Sequence, residues 1–558
     1  MKRSKRYQDR ELAPDEIFLD ASNLPDFDHA RLEGRFERPV SPTTFMGLFT
    51  AVLLLLVLLS GQAAYLSLIR GEAYAAQSEK NRIRPEILFA PRGAMVDRNG
   101  VPLVENTKGT EDFSVRTYAS PGLGHLLGYV SYPKKDKQGV FYETVIEGVA
   151  GAERAFDARL RGKNGTHLIE EDALGNIESE GTVEAAIDGE TLTLSVDLRV
   201  QRAFFSAIKD LADKIPYKGG AGLLMDIYTG EIIALVSYPE YDPNILSLGD
   251  EQEIIQGYAE DPREPYLDRG VSGLYTPGSI VKPVIAAGAF HDGVIDDSKE
   301  IVSTGQLVVP NPYDASNPSI FKDWKAHGAT DMRRAIAVSS DVYFYTVGGG
   351  FGAQRGLGIE RLNFWYDVFG FTTATGIELS GEESGFLPSP SWKEKTYGDP
   401  WRLGDTYHAA IGQYAIQITP LEALRMTAAL ANGGRLVRPT ILHGGGGEGS
   451  SLAISQEALR IAREGMRQGV TEGTSIGLNP YTEVQAAGKT GTAQVGVHNE
   501  WYNSWAIGFF PYDAPRYAYT VVMERAPAGT ATGGIYVMSQ VFNELRQSAP
   551  EYFERGAN

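Results

Sequence analysis

Along the chain the alternation of apolar and polar positions changes period several times. From Phe45 to Ile69 it vanishes: FMGLFTAVLLLLVLLSGQAAYLSLI runs 25 residues without a charge. At about 1.5 Å per residue a helix of that length exceeds the roughly 30 Å hydrocarbon core of a bilayer, so the pattern predicts one transmembrane helix over residues 44–69. Ala73-Tyr74-Ala75 has the form of a signal-peptidase site, but the run is far longer than the ~7–15 apolar residues of a cleaved signal, and the helix is read as an anchor.

Beyond the anchor the pattern shortens. Residues 85–190 hold brief apolar stretches broken by Gly, Pro and charge, as in APRGAMVDRNGVPLVEN, where Asp97-Arg98-Asn99-Gly100 marks a turn between two strand-like runs. A small β-rich domain is predicted there. At TLTLSVDLRVQRAFFSAIKDLADKI a strand gives way to a helix of about 17 residues, with Val200, Ala203, Phe204, Ile208, Leu211 and Ile215 on one apolar face. A larger domain starts at that point. GAGLLMDIYTGEIIALVSYP reads as a β-hairpin turning at Asp226 to Gly230, and VQAAGKTGTAQVG, SWAIGFFPYD and RYAYTVVMERA read as three further strands. ITPLEALRMTAALANGG is a helix with Thr419 as cap, Pro420 as first residue and Gly433-Gly434 as stop. The sum is a five-stranded sheet carrying helices. VGGGFG and HGGGGEG fit neither a Walker loop nor a dinucleotide fingerprint and are read as loops.

Composition narrows the chemistry. A formal charge of −19 over 558 residues offers no basic footprint for nucleic acid. The absence of cysteine removes disulfides, thiol catalysis and cysteine-ligated zinc, and the eight histidines form no H-E-x-x-H pair. Lys2, Arg3, Lys5, Arg6, Arg10, Arg31, Arg35 and Arg38 precede the anchor, whereas Arg70, Lys80, Arg82 and Arg84 follow it. That bias places the tail in the cytoplasm and everything after about residue 70 outside the cytoplasmic membrane.

The candidate chemistry begins at GLYTPGSIVKPVIAAG, residues 273–288. Ser279 reads either as a helix cap or as a nucleophile with Lys282 as its base. S-x-x-K alone is weak, since Ser131/Lys134 and Ser319/Lys322 match it too. A helix starting at Ser279 would bring Ser279 and Lys282 onto one face, about 5–6 Å apart at Cβ, and its N-terminus would favour developing negative charge. Two more elements follow in order. Ser339 and Asp341 form S-x-D in AIAVSSDVYFY, and Lys489-Thr490-Gly491 forms the chain's one K-T-G in AAGKTGTAQ. Ser195 and Asp197 also form an S-x-D, so the middle element is informative only in this company. S-x-x-K, S-x-[ND] and K-T-G in that order are the serine penicillin-recognising signature.

With these motifs the sequence resembles the class B penicillin-binding proteins, the bitopic D,D-transpeptidases of the cell wall. RGAMVDRNG and GVAGAERAFDARLRGKNG resemble the two hallmark stretches of that family's non-catalytic pedestal, with Arg92, Gly93, Asp97, Arg98, Gly100, Gly151 and Glu153 in matching places. YPEYDPN, YTPGSIVK and TPLEALRMTAALANGG resemble its catalytic domain. Asp341, the DVYFY after it and FLPSPSWKEKTYGDPWRLGDTYHAAIGQ are similar to the elongation-type branch more than to the division-type branch. One departure is Tyr414, which follows Gln413 where the family continues I-G-Q-G.

The resemblance implies an α/β multidomain chain: a cytoplasmic tail 1–43, the helix 44–69, a pedestal 70–190, a transpeptidase domain 191–550 with a five-stranded antiparallel sheet flanked by helices, and a tail 551–558. It implies Ser279 as nucleophile, activated by Lys282, whose pKa must fall through burial and the charge of Lys489. Asp341 is expected to bond chiefly to Lys489 or to a shuttle through Ser339, and Ser339 to relay the proton to the leaving amine. Thr490, Gly491 and Thr492 are expected to bind the substrate, the two threonine hydroxyls holding its terminal carboxylate. Backbone N–H groups of Ser279 and Thr492 would form the oxyanion hole. The implied reaction crosslinks peptidoglycan stem peptides, a D-Ala-D-Ala donor and an amine acceptor, with no metal or organic cofactor, and β-lactams would trap Ser279. The implied partner is a SEDS-family glycosyltransferase. A D,D-carboxypeptidase or β-lactamase would use the same motifs with water as acceptor, and a β-lactam sensor would need an effector domain longer than the 43-residue tail. His327 in KDWKAHG is read as a loop residue.

Overall fold

The computed structural model describes residues 41–109, 113–119, 121–171, 177–311, 314 and 316–554. Most of the expected cytoplasmic tail, and residues 555–558 at the other end, lie outside the described residues. The chain divides into two compact units, residues 1–84 with 170–178 and residues 85–169 with 179–558.

In the first unit, helix α1 covers Pro42–Ala64 and runs on through a π-helical turn, Tyr65–Ile69. It starts two residues before the expected span because Ser41 caps it, its side chain accepting from Thr44 N at 3.3 Å, and Pro42 supplies the first helical residue. None of its residues is buried, and Leu58 and Leu68 are 71% and 83% exposed. The 28 residues Pro42–Ile69 have a mean hydropathy of 2.3 over their most apolar window. An apolar helix that is uncovered all round is suited to lipid rather than to water.

The second unit opens with short strands: β1 (Met95–Val96), β2 (Pro102–Thr107), β3 (Val115–Tyr118) and β4 (Leu192–Thr193), in the order β3-β2-β1-β4. The expected turn at 97–100 is present. Asp97 Oδ1 accepts from Asn99 N and Val101 N, each at 2.8 Å, and Gly100 takes φ +81. The same part holds a cluster of buried charges, Arg92, Arg116 and Glu153, with the half-buried Asp157 beside it. Glu153 accepts from Arg92 Nε at 2.6 Å and from Arg116 Nη2 at 2.7 Å, and Asp157 pairs with Arg92 Nη1 at 2.8 Å. Arg92 and Glu153, two of the residues singled out in the sequence, thus help hold this part together from inside.

The larger part is built on one five-stranded sheet. Helix α2 (Leu198–Lys214) leads into β5 (Gly219–Asp226) and β6 (Ile232–Tyr238), the expected hairpin. Then come α3 (Lys282–His291), α4 (Met332–Val338), α5 (Asp341–Gly349), α6 (Pro420–Ala431) and α7 (Gln456–Glu472). The chain closes with β7 (Ala487–Val495), β8 (Trp501–Phe510), β9 (Tyr517–Pro527) and α8 (Gly534–Ser548). The five strands form one antiparallel sheet in the order β6-β5-β9-β8-β7. Both faces are covered, which explains why its strands read as continuous apolar runs instead of alternating. Leu223 and Met225 of β5 join one core cluster with Ala423 and Met426 of α6, while Leu224 joins another with Phe204 of α2 and Phe542 of α8. Thr419 and Glu422 form a capping box at the start of α6, and Gly433 and Gly434 take positive φ beyond its end. Strand β7 lies at the sheet's edge, packed against α7 and against the turn Gly278–Val281 that precedes α3.

Candidate active site

Three elements meet at the free edge of β7. The first is the turn that carries Ser279. Residues Gly278–Val281 form a 3₁₀ turn, and the α-helix begins only at Lys282. This differs from the helix expected to start at Ser279. Pro283 lacks an N–H and sits in the first turn of α3, where that lack costs nothing. In a 3₁₀ turn the side chains at i and i+3 eclipse, so Ser279 and Lys282 still share a face. The cap reading of Ser279 does not hold: no hydroxyl bond from Ser279 caps the turn, and the residue is half-buried in the wall of a cleft.

Glycines permit the close approach of this turn to β7. Gly278 takes φ +57, and a Cβ on Gly412 would fall 2.1 Å from Gly278 O. A Cβ on Gly491 would meet Pro277 O at 2.8 Å and Ile280 Cγ2 at 2.9 Å. The glycine of K-T-G is thus a steric requirement of bringing strand and nucleophile turn together.

The second element is the junction of α4 and α5. Ser339 ends α4 in the left-handed region, φ +60 and ψ +43, and Ser340 caps α5. Lys282, wholly buried, rises from α3 into this junction. Its Nζ donates to Ser339 O at 2.8 Å, Ser339 Oγ at 3.2 Å and Asp341 Oδ1 at 2.6 Å. The third element brings Lys489, whose Nζ donates to Ser339 Oγ at 2.8 Å and Thr490 O at 2.7 Å. Ser339 Oγ therefore lies between two lysine Nζ atoms.

Asp341 corrects one expectation. It pairs with Lys282, not with Lys489 and not through Ser339. Asp341 opens α5 on the side from which Lys282 enters, whereas Lys489 comes from the strand and meets Ser339 first. The electrostatics follow this division. Burial, followed by the charge of Lys282, pushes the Lys489 ammonium well below its ordinary value, against the opposing pull of Asp341.

The cleft these elements enclose measures about 1160 Å³, and Ser279, Ser339, Asp341, Thr490, Gly491 and Thr492 all line it. Thr490 Oγ1 bonds Thr474 Oγ1 at 2.7 Å, and Thr492 is exposed. Every sequence-derived site residue thus lines this cleft or, for Lys282 and Lys489, bonds a residue that does. Of the rival motif matches, Ser195 bonds Ile232 O, Asp197 caps α2 and Lys134 pairs with Glu143, all away from the cleft, whereas Lys322 lines the cleft without its Ser319.

The cleft also holds residues that the motifs did not point to. Thr474 follows α7 and steadies Thr490. Asp323, in the excursion between α3 and α4, accepts from Ser340 Oγ at 3.0 Å and Val342 N at 3.1 Å, and His327 stands with Nε2 3.4 Å from Asp323 Oδ1. No pattern in KDWKAHG distinguishes Asp323 from a loop residue, because its partners Ser340 and Val342 lie on another element. Tyr414, the departure from glycine, takes φ +63, which costs an L-residue about 1–2 kcal/mol. Its ring is held against Trp401 at 5.3 Å and under Lys393 Nζ at 5.8 Å.

Known proteins resemble the chain in sequence and in fold. Residues 220–547 match the penicillin binding protein transpeptidase domain, and residues 109–194 match the penicillin-binding protein dimerisation domain. The chain is 30% identical over 468 residues to the peptidoglycan D,D-transpeptidase MrdA of Haemophilus influenzae, covering 77% of this chain and 69% of that one. Its structure is similar to Pseudomonas aeruginosa PBP2 in complex with WCK 5153, at a TM-score of 0.69, 27% identity and coverage of 85% of this chain and 100% of the other. It is similar too to PBP2 of Helicobacter pylori in complex with MreC, at a TM-score of 0.69 and 26% identity over 84% of this chain and 99% of that one. With the transpeptidase domain spanning more than half of its length, the chain belongs to the class B penicillin-binding proteins, as an elongation-type peptidoglycan D,D-transpeptidase.

Proposed function

We propose that crosslinking proceeds through an acyl-enzyme on Ser279, with the two lysines and Ser339 moving its proton. The observation that carries this is Ser339 Oγ lying 3.2 Å from Lys282 Nζ and 2.8 Å from Lys489 Nζ in the cleft that Ser279 lines. As an ammonium, Lys282 gives all three of its protons to Ser339 O, Ser339 Oγ and Asp341. To act as a base it must first lose one. The contiguous route runs through Ser339 Oγ to Lys489, whose neutral form burial favours, so that its Nζ has a lone pair to receive the proton. Lys282 then takes the Ser279 proton as Ser279 Oγ attacks the penultimate D-Ala carbonyl. The tetrahedral oxyanion is stabilised by backbone N–H groups of Ser279 and Thr492, a contribution of about 3–4 kcal/mol per donor. Collapse breaks the amide bond, and Ser339 passes a proton to the departing D-Ala amine. An acceptor amine then attacks the ester, and Ser279 leaves with its proton restored. Thr490 and Thr492 hold the donor's carboxylate, and Gly491 keeps the strand close enough for them to do so.

The same proposal makes α1 a single-pass anchor in the cytoplasmic membrane, with the tail 1–43 inside and the pedestal 70–190 and catalytic domain 191–550 outside. It makes a SEDS-family glycosyltransferase the partner. Solution of the Helicobacter relative with MreC supports work within an assembly. The test of the site is mass spectrometry of the penicillin-treated full chain. The adduct is expected on the peptide bearing Ser279 and is expected to vanish in Ser279→Ala. An adduct on another residue, or none, would overturn the assignment.

A further inference from the structure

The junction that carries Ser339 and Asp341 does not hold its own shape. Ser339 occupies a left-handed conformation unfavourable for an L-residue, between the end of α4 and the cap of α5. Such a conformation persists only where surrounding contacts over-determine it. Lys282 and Lys489 bond Ser339 itself, and the backbone on either side of it is held by the excursion Ile301–Thr330. Within it, Ile301–Ser303 pairs with Gly328–Thr330 and Gln306–Val309 pairs with Ser319–Lys322, and the loop Asp323–Ala326 lies between.

Asp323 is the centre of that support. Its side chain is 0% exposed. Oδ2 accepts from Ser340 Oγ at 3.0 Å, from Val342 N at 3.1 Å and from Ser303 Oγ at 3.0 Å, and Oδ1 accepts from Trp324 N at 2.9 Å. One carboxylate thus ties the excursion's first strand to both the cap and the first turn of α5. Two neighbours reinforce it. Trp324 Nε1 donates to Val338 O, the last carbonyl before Ser339, at 3.2 Å, and Tyr345 OH donates to Lys322 O at 3.1 Å. Burial alone would raise the Asp323 pKa. The N–H groups of Val342 and Asp341 and the charge of Lys282 outweigh it and hold the carboxyl below its ordinary value.

We propose that Asp323 is a positioning residue of the reaction: by fastening Ser340 and the start of α5 to the excursion, it holds Ser339 Oγ between Lys282 and Lys489. It acts through Ser339 and Asp341 and does not touch the substrate. The inference rests on the assignment of Ser279 as nucleophile.

The test measures acylation by a fluorescent penicillin, using the full-length detergent-solubilised chain, as the first-order rate constant at saturation and the dissociation constant of the non-covalent complex. Asp323→Ala is expected to lower the rate constant about 100-fold, the scale of a 1 Å misplacement near reacting groups, while the dissociation constant moves less than about 3-fold. Two milder variants, Asp323→Asn and Ser340→Ala, stand in should Asp323→Ala fail to fold. Each is expected to lower the rate constant by about 5- to 30-fold, and the double variant by no more than the stronger single one, since both break one linkage. General loss of structure would instead shrink the fraction of protein that can be labelled and weaken penicillin binding. Asp323→Asn and Ser340→Ala proteins acylating at the wild-type rate constant would overturn the inference alone. A wild-type chain that takes no penicillin at Ser279 would overturn the nucleophile assignment and the inference with it.

Discussion

Adding one methyl group to Gly491 tests the closeness of the nucleophile turn and the edge strand. A Cβ there meets Pro277 O at 2.8 Å, about 0.6 Å inside the 3.4 Å of ordinary contact, with Ile280 Cγ2 at 2.9 Å and Trp505 Cβ at 3.2 Å behind it. Neither main neighbour yields easily. The carbonyl belongs to the backbone just before the Ser279 turn, and Ile280 is wholly buried. Overpacking of this kind costs about 1–3 kcal/mol. The relief available is to move the turn away from β7, which separates Ser279 from Thr490 and Thr492. A shift of several tenths of an ångström in a geometry where 1 Å costs about 100-fold sets the expectation for Gly491→Ala at about a 10- to 100-fold fall in penicillin acylation. Stopped-flow labelling with a fluorescent penicillin reads it, and thermal unfolding checks that the protein is folded. Gly257→Ala is the control, since a Cβ there meets nothing within 4 Å on an exposed helix. A Gly491→Ala protein that acylates at the wild-type rate with an unchanged melting temperature would show that the strand and turn do not need this contact.

Two further outcomes follow from buried charges. Glu153→Ala leaves the Arg116 guanidinium buried without its carboxylate, while Arg92 keeps Asp157, so a loss of about 3–5 kcal/mol is expected in denaturant unfolding; a loss below 1 kcal/mol would refute the pairing. In Lys489→Met, acylation is expected to be lost while stability rises. Because the folded pKa of Lys489 is lowered, the unfolded chain binds more protons between that value and the ordinary lysine value near 10.4, so wild-type stability increases with pH through this window. The advantage of Lys489→Met should therefore be largest at low pH and shrink as pH rises, as read from paired melting temperatures. A constant gap would contradict the depressed ammonium.

Chemical identity and order along the chain were enough to single out the anchor, the sheet's strands and the motif residues. A lipid-spanning run is set by composition alone, and α6 is delimited by Thr419, Glu422, Gly433 and Gly434 within its own few residues. K-T-G was legible because it occurs once and follows the other two motifs in order, and the structure adds the steric reason for its glycine. What tertiary structure alone decided was which charge faces which. Asp341 binds Lys282 instead of Lys489, burial lowers the pKa of Lys489, and Asp323 bonds Ser340 within a motif that begins 16 positions further along. Electrostatic partnership depends on distance and burial across elements far apart in the chain. Local pattern records only which side of its own helix or strand a residue occupies.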